Sequence, residues 1–432
     1  GLTLEEVNED RKQARTRNVD FKTGEQIDQF KSGLNFSYQW NANTLNTYAF
    51  FATRNFEGLL PFEYGGWVDL ERKYVGIGSN LALKSSKKNL TNKLMFGYDL
   101  AFQRDNRQRF LNMSGEKGIK TLGQLERFNN LGLYVLNHLE FGKFLFQAGL
   151  RFDKNELKAE DSFLSNGDQS GAVNLDACNP SLGLSVKIAP KSLLFGNFST
   201  GYETPVLSEL SANPNGKGGF NETLKAQKAR NYELGYRLNT VNFSGDITWF
   251  AIRTKNEIVP YELEAYPDRT FYKNAGSTLR NGVELTAVLD LLKNIRMQLG
   301  YTYSNFEYRD YVVNGNDLND YKLPGIPEHA GSLAISYNNG RGLQFVYSSM
   351  FVGKLYTNDN NSVAEKGYTL SSIKAGYKLS GNNLTWTPFL GVDNLYNVKY
   401  NDNIRINAFG NRYYEPAPGF SIFGGIRVEI GK

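Results

Sequence analysis

Apolar and polar side chains alternate with a period of two over long stretches of this chain, and that rhythm constrains its fold more than any other feature. Between Lys93 and Gln103, Leu94, Phe96, Tyr98, Leu100 and Phe102 share one face, and Met95, Gly97, Asp99, Ala101 and Gln103 share the other. Residues 144–153 set Phe144, Phe146, Ala148, Leu150 and Phe152 against Gln147, Gly149, Arg151 and Asp153, with Leu145 the one exception. Residues 295–304 set Ile295, Met297, Leu299, Tyr301 and Tyr303 against Arg296, Gln298, Gly300, Thr302 and Ser304. Shorter stripes of the same kind run from Tyr232 to Leu238, Val283 to Leu289, Ile373 to Leu379 and Ile422 to Ile430. Successive side chains of a strand point to opposite faces, so each stripe predicts a strand with one apolar and one small, hydrophilic face. Several stripes reach the ~9–11 residues that a tilted strand needs to cross a bilayer, beyond the ~5–6 usual in globular domains.

About 17 such segments follow one another, and the connections between them keep a fixed phase. Short turns fall at 41–44, 85–89, 142–143, 189–192, 239–242, 292–294, 338–342 and 380–383. Long loops fall at 55–66, 104–120, 154–178, 203–226, 260–269, 309–326, 355–367 and 400–416. The short turns carry hairpin chemistry, as in Asn339-Gly340, Gly142-Lys143 and Ser380-Gly381-Asn382-Asn383. A meander with one tight end and one elaborated end is the layout of a bacterial outer-membrane barrel, with short periplasmic turns and long extracellular loops. A propeller or a set of sandwiches has no reason to hold that phase. The expected fold is all-β, a transmembrane antiparallel up-and-down β-barrel.

Composition removes the alternatives. Cys178 is the only cysteine, which excludes a disulfide scaffold. With two histidines and that one cysteine there is no zinc cluster, and no Gly-rich phosphate turn is present. No run approaches the ~20 apolar residues of a membrane helix. The net charge is only +5, with basic residues spread along strands and loops, so nucleic acid is not an expected partner. Residue 1 is Gly, and no leader precedes the first strand. Either a signal peptide was removed or the chain is a piece of something longer.

Several motifs are specific in combination. Gly201-Tyr202-Glu203-Thr204-Pro205 with Ser208-Glu209-Leu210, Asn231-Tyr232-Glu233-Leu234-Gly235 and Asn281-Gly282-Val283-Glu284-Leu285 stand on successive stripes. Leu323-Pro324-Gly325-Ile326-Pro327-Glu328-His329, Val392-Asp393-Asn394-Leu395-Tyr396 with Lys399-Tyr400, and Arg412-Tyr413-Tyr414-Glu415-Pro416-Ala417-Pro418-Gly419 follow. In these the chain resembles, along essentially its whole length, the barrel domain of TonB-dependent outer-membrane receptors. Asn256-Glu257-Ile258-Val259-Pro260, the segment Arg269 to Gly276, and Arg405-Ile406-Asn407 resemble the branch that includes the pyrroloquinoline-quinone receptor of Gram-negative bacteria.

The resemblance implies active import, with substrate held by extracellular loops and plug, and TonB with ExbB and ExbD drawing on the proton-motive force to open the plug. It also implies a TonB box, a plug domain and 22 strands. Neither box nor plug is seen here, so the expectation is a fragment: about 17 of 22 strands, with residues 1–25 the remainder of a long extracellular loop and residues 26–432 the C-terminal portion of the barrel. The chain ends Ile430-Gly431-Lys432, without the family's terminal aromatic residue. An open sheet would expose two bare edges to lipid, at high cost.

Binding candidates must come from loops. Arg104, Arg107 and Arg109 crowd one loop with Asp105; Arg269, Tyr272 and Lys273 leave another; Arg405, Asn407, Arg412, Tyr413 and Tyr414 populate the last. From these, Arg107, Arg109, Arg269, Tyr272, Lys273, Arg405, Asn407, Arg412, Tyr413 and Tyr414 are the candidate substrate-binding residues. Guanidinium forks suit carboxylate-bearing ligands and Tyr suits planar rings, which fits a siderophore or an acidic quinone cofactor. The competing reading gives these charges to lipopolysaccharide or to one another. Lumen-facing Arg151, Arg237, Arg296, Arg427 and Glu284 are expected to pair with each other or with a plug, and Tyr301, Tyr303 and Trp386 to sit in interface girdles. His138 lies by a short turn and His329 where a loop re-enters the barrel, the latter reading as a structural rim residue. No nucleophile–base pair stands out, so neither enzyme chemistry nor a resident cofactor or metal is expected. Two rival functions keep the barrel but drop energised import: a passive porin-like channel, and an adhesin or surface receptor using the long loops.

Overall fold

The computed structural model describes residues 1–214, 220–313, 315–381 and 383–430. Seventeen strands pair in chain order, every neighbour antiparallel, in one sheet. They are β1 (Gly24–Trp40), β2 (Asn43–Leu59), β3 (Trp67–Lys87), β4 (Leu90–Met113), β5 (Glu116–Phe141), β6 (Phe144–Asp161), β7 (Gly171–Ala189), β8 (Ser192–Glu203) and β9 (Gln227–Asn239). The rest are β10 (Phe243–Lys255), β11 (Ser277–Leu292), β12 (Ile295–Asp310), β13 (His329–Asn338), β14 (Leu343–Val352), β15 (Tyr368–Tyr377, resumed at Leu379–Ser380), β16 (Leu384–Asp393) and β17 (Ser421–Ile430). Short turns alternate with longer connections except between β4 and β5, where both strands run on to a two-residue turn. Among the described residues, β1 and β17 are the two edges and no ladder joins them.

The strands are longer on the loop side than periodicity suggests. The loop expected at 104–120 is mostly ladder: β4 runs to Met113 and β5 starts at Glu116, leaving the turn Ser114–Gly115. Likewise β6 reaches Asp161 and β7 begins at Gly171, so most of 154–178 is strand. The cause is solvent. Above the apolar band of Leu94 to Phe102 both faces of the hairpin are polar, so the stripe disappears while the backbone ladder continues. Arg104 and Asp105 are therefore strand neighbours on opposite faces. Arg104 bonds Asn129 at 2.8 Å, and Asp105 pairs with Arg72 at 2.6 Å.

On the lumen face glycine and aromatic residues are paired across strands. Tyr48, Phe50, Tyr134, Phe195, Phe250, Phe389 and Phe423 stand directly opposite Gly78, Gly76, Gly97, Gly235, Gly282, Gly425 and Gly391. A methyl group on Gly235 would fall inside the Phe195 ring, and one on Gly282 inside the Phe250 ring. The motif glycines at 235 and 282 are thus floors on which rings lie flat across the ladder. We expect Gly235→Val to cost about 1–3 kcal/mol by overpacking, largely relieved by Phe195→Ala in the same chain. The loss of heat resistance of the folded band on gels measures both.

Lumenal charges pair with acids near their own position rather than with one another. Arg151 bridges Asp99 at 2.7 Å and Asp153 at 2.8 Å, with Tyr48 donating to Asp99 at 2.8 Å. Arg237 meets Asp246 at 3.5 Å, Arg296 meets Asp290 at 2.7 Å, and Arg427 meets Glu429 at 2.7 Å. Trp386, Tyr301 and Tyr303 lie on the opposite, outward face. His329 joins them there, its Nδ1 2.8 Å from the Tyr301 hydroxyl, with its ring against Tyr303.

Residues 1–23 lie on the loop side and carry two short helices, Leu4–Glu9 and Thr16–Asp20. Thr3 caps the first with a reciprocal bond from its backbone N–H to Glu6. Leu2 exchanges backbone bonds with Tyr414 at 2.7 and 3.1 Å, Glu6 pairs with Arg412 at 2.6 Å, and Arg11 reaches the Tyr400 carbonyl. At the other end of this segment Asn112 donates to the Phe21 carbonyl at 3.1 Å, and Lys22 pairs with Glu116 at 2.9 Å. The segment therefore ties the β4–β5 tip to the last loop across the open side of the sheet.

Candidate ligand-binding site

Four connections meet on the loop side. Between β10 and β11 the chain makes a hairpin, Ile258–Leu263 paired with Tyr266–Asn274. The connections 311–328, 353–367 and 394–420 each hold a smaller ladder: Val312–Val313 with Asn316–Asp317, Leu355–Tyr356 with Ala364–Glu365, and Asn401–Ile404 with Tyr414–Pro416. Each loop is stiffened internally before it meets its neighbours. The loop-entry motifs help. Asn394 adopts a left-handed conformation (φ 48°) and its side chain accepts from Val398 N–H at 2.8 Å, turning the chain sharply out of β16.

Asp359 is the joint where the last three of them converge. Its carboxylate accepts from the hydroxyls of Tyr308 (2.8 Å) and Tyr311 (3.0 Å) and from the Asn407 amide (2.9 Å). Its own backbone N–H donates to Asn407 Oδ1 at 3.0 Å. Tyr308 is 2% exposed, and its ring centroid lies 4.5 Å from that of Tyr311. Burial first, and then the Asp359 charge, raise both phenols well above tyrosine's ordinary range. Beside this joint lies a cavity of about 430 Å³ lined by Tyr261, Glu262, Lys273, Asn358, Asp359, Asn407 and Tyr413, among others. The Lys273 ammonium stands 5.2 Å from the ring centroids of both Tyr261 and Tyr311. Burial pulls its pKa below the usual lysine value. The cavity thus offers one cation, an aromatic cage, two carboxylates and amide groups, which suits a compact polar ligand with planar parts.

The sequence-derived candidates divide between three places. Lys273, Asn407 and Tyr413 line the cavity. Arg405 holds its rim through Glu262 at 3.0 Å. Arg412 is committed to Glu6, and Tyr414 is 2% exposed in a core with Leu2 and Val7. Tyr272 packs against a different core, formed by Leu157, Ala159, Leu207, Leu210, Phe220 and Leu224. Arg107 makes a two-bond pair with buried Glu126, at 2.7 and 3.1 Å, which also accepts from Ser211 at 2.6 Å. Arg109 follows two residues along the same strand face as Arg107, and Arg269 lies over the rings of Tyr266 and Phe271; neither lines the cavity. Tyr261, Tyr308, Tyr311, Asn358 and Asp359 were not singled out from the sequence. The polar run Asn358 to Asn361 was visible, but a joint made by long-range hydrogen bonds has no local signature. Among the described residues, no group of His, Cys, Asp and Glu gathers to hold a metal ion.

A phase-locked meander with polar lumen, aromatic girdles and interlocked loops at one end defines an outer-membrane receptor barrel. The family described as "TonB dependent receptor-like, beta-barrel" matches residues 4–395, so the chain belongs to that family and sits in the outer membrane of a Gram-negative bacterium. It is 22% identical over 309 residues to the probable TonB-dependent siderophore receptor PiuA of Acinetobacter baumannii, covering 67% of this chain and 39% of that protein. To the catecholate siderophore receptor Fiu of Escherichia coli it is 23% identical over 330 residues, covering 70% of this chain and 41% of the other. The chain thus spans about two fifths of the length of these curated relatives. Among solved structures the ferric citrate transporter FecA, unliganded, superposes with a TM-score of 0.82 at 18% identity, over 99% of this chain and 65% of that one. That likeness is one of fold.

Proposed function

We propose that this barrel serves TonB-dependent import of a scarce small ligand across the outer membrane, with the ligand first held by the loop side. The observation that carries this reading is the interlocking of three loops at Asp359, with the 258–274 hairpin beside them, around a cavity with its own cation and aromatic cage. A plain pore has no use for such a joint, and an adhesin would place its chemistry on the outer faces of the loops. The names of relatives favour an iron chelate over a quinone cofactor as cargo. Energy would come from TonB with ExbB and ExbD acting on a plug within the barrel, while lipopolysaccharide and lipid surround the outward face. The barrel would bind and release its cargo without making or breaking covalent bonds, and so would not act as an enzyme.

Iron uptake from chelates, measured in cells with and without TonB, tests the reading. We expect uptake that depends on this gene to vanish without TonB or after an uncoupler. Solute flux that persists without energy would instead mark a passive channel, and unaltered uptake in a deletion strain would leave only a surface role.

A further inference from the structure

Away from the Asp359 cavity, a second group of polar atoms at the loop end of β4 and β5 has no partners. Arg109 Nε, Thr121 Oγ1 and both amide atoms of Gln124 are sealed from solvent and make no hydrogen bond. Thr121 is 6% exposed and Gln124 1%. Their proximity follows from register: Arg107 faces Gln124, Arg109 faces Leu122, and an irregularity at Arg109/Phe110 sets Thr121 beside them. The turn at Gly65 closes over the same point. A Cβ there would stand 3.5 Å from Arg109 Cδ and 3.7 Å from Thr121 Oγ1.

Two of the guanidiniums around this niche are matched. Arg72 pairs with Asp105, and Arg107 with Glu126. Arg109 makes no ion pair with any described residue, while Arg269, lying over the rings of Tyr266 and Phe271, adds a further guanidinium nearby. Burial, then the charges of Arg107 and Arg269, push the Arg109 guanidinium down to about 9. A guanidinium gives up its proton very reluctantly, so the burden persists as an unbalanced buried cation. Buried groups left without hydrogen bonds are rare enough to call for a reason, and a ligand that completes them is one.

We propose that Arg109, Gln124 and Thr121 form a seat for a carboxylate group of an anionic small ligand. The Arg109 guanidinium would supply forked donors, Gln124 an amide N–H and Thr121 a hydroxyl. This rests on the import reading and names its ligand class: a carboxylate-rich molecule, either the iron(III) chelate of a hydroxycarboxylic acid or a carboxylated quinone.

Citrate is the direct probe. Titrated into the intact protein in outer-membrane vesicles, it should raise the thermal midpoint saturably. Arg109→Met should weaken that response at least about tenfold, and Gln124→Leu by a smaller factor. Arg109→Met removes an unmatched buried charge, so it should fold at least as well as the parent, which separates lost binding from lost structure. Competition by iron(III) citrate or by pyrroloquinoline quinone supports the seat in either case and tells the two sources apart. A citrate response unchanged in Arg109→Met, or none in the parent, overturns the seat. TonB-dependent uptake of a neutral trihydroxamate chelate that ignores Arg109, with no carboxylate probe competing, also overturns it and leaves import standing. Uptake that needs no TonB overturns import, yet leaves an Arg109-dependent citrate response intact.

Discussion

Glu126→Ala is expected to destabilise the loop end of the barrel by about 3–5 kcal/mol, the range for removing one member of a buried ion pair. Glu126 is fully buried and its partner Arg107 nearly so, and their two hydrogen bonds are joined by a third from Ser211. Burial alone would lower the Arg107 pKa; the Glu126 charge more than offsets this, leaving Arg107 raised above its ordinary value. Without Glu126 the Arg107 and Arg109 guanidiniums would share a buried site whose remaining acid, Asp105, is already paired with Arg72. The double change Arg107→Met with Glu126→Leu removes both charges together and should recover most of the loss, because a well-packed apolar pair costs little where a lone ion costs much. Urea unfolding of the vesicle-embedded protein, followed by gel mobility, distinguishes the two variants. Equal losses in both would mean that packing, not charge, holds this corner.

That corner also shows where sequence reading stops. Within the bilayer, one face must be apolar and the other wet, so the alternation from Leu94 to Phe102 or Ile295 to Tyr303 is imposed by the surroundings and can be read directly. Above it, water meets both faces, and the same ladder continues through Arg104 to Met113 with no periodic trace. Arg107 and Arg109 are indistinguishable in sequence, two residues apart on one face. Their fates diverge because the register of β4 with β5 gives Arg107 an acid and gives Arg109 none. The motif glycines could be seen, but the rings lying on them come from neighbouring strands. Asp359 was hidden for the same reason: its partners lie far off in the chain, Tyr308 at the end of β12 and Tyr311 and Asn407 in other connections.

Asp359→Ala should therefore act on three loops at once. It leaves the buried hydroxyl of Tyr308 and that of Tyr311 without an acceptor, and it frees Asn407 from one of its two bonds to residue 359. A hydrogen bond to a charged group contributes about 1.5–3 kcal/mol, so losing this set should shift the loops from a joined to a separated arrangement. A ligand that needs the joined state then binds with an apparent affinity reduced in proportion to the remaining joined fraction, here on the order of a hundredfold. Asn407→Ala, which spares both phenols, should cost less. Asp359→Asn keeps an acceptor and should fall between them. Alkaline pH acts on the same joint. Because the phenols of Tyr308 and Tyr311 are raised in the folded protein, their contribution is complete below tyrosine's ordinary value of about 10 and declines as pH rises from there through the raised folded values. Protease sensitivity of the 353–367 connection, measured against pH in the parent and in Asp359→Asn, should rise in that window, with a shallower slope in the variant because one cause of the raised values has been removed. A parent that stays protected there, or an Asp359→Ala protein that binds as tightly as the parent, would mean that the three loops joined at Asp359 do not act as one unit.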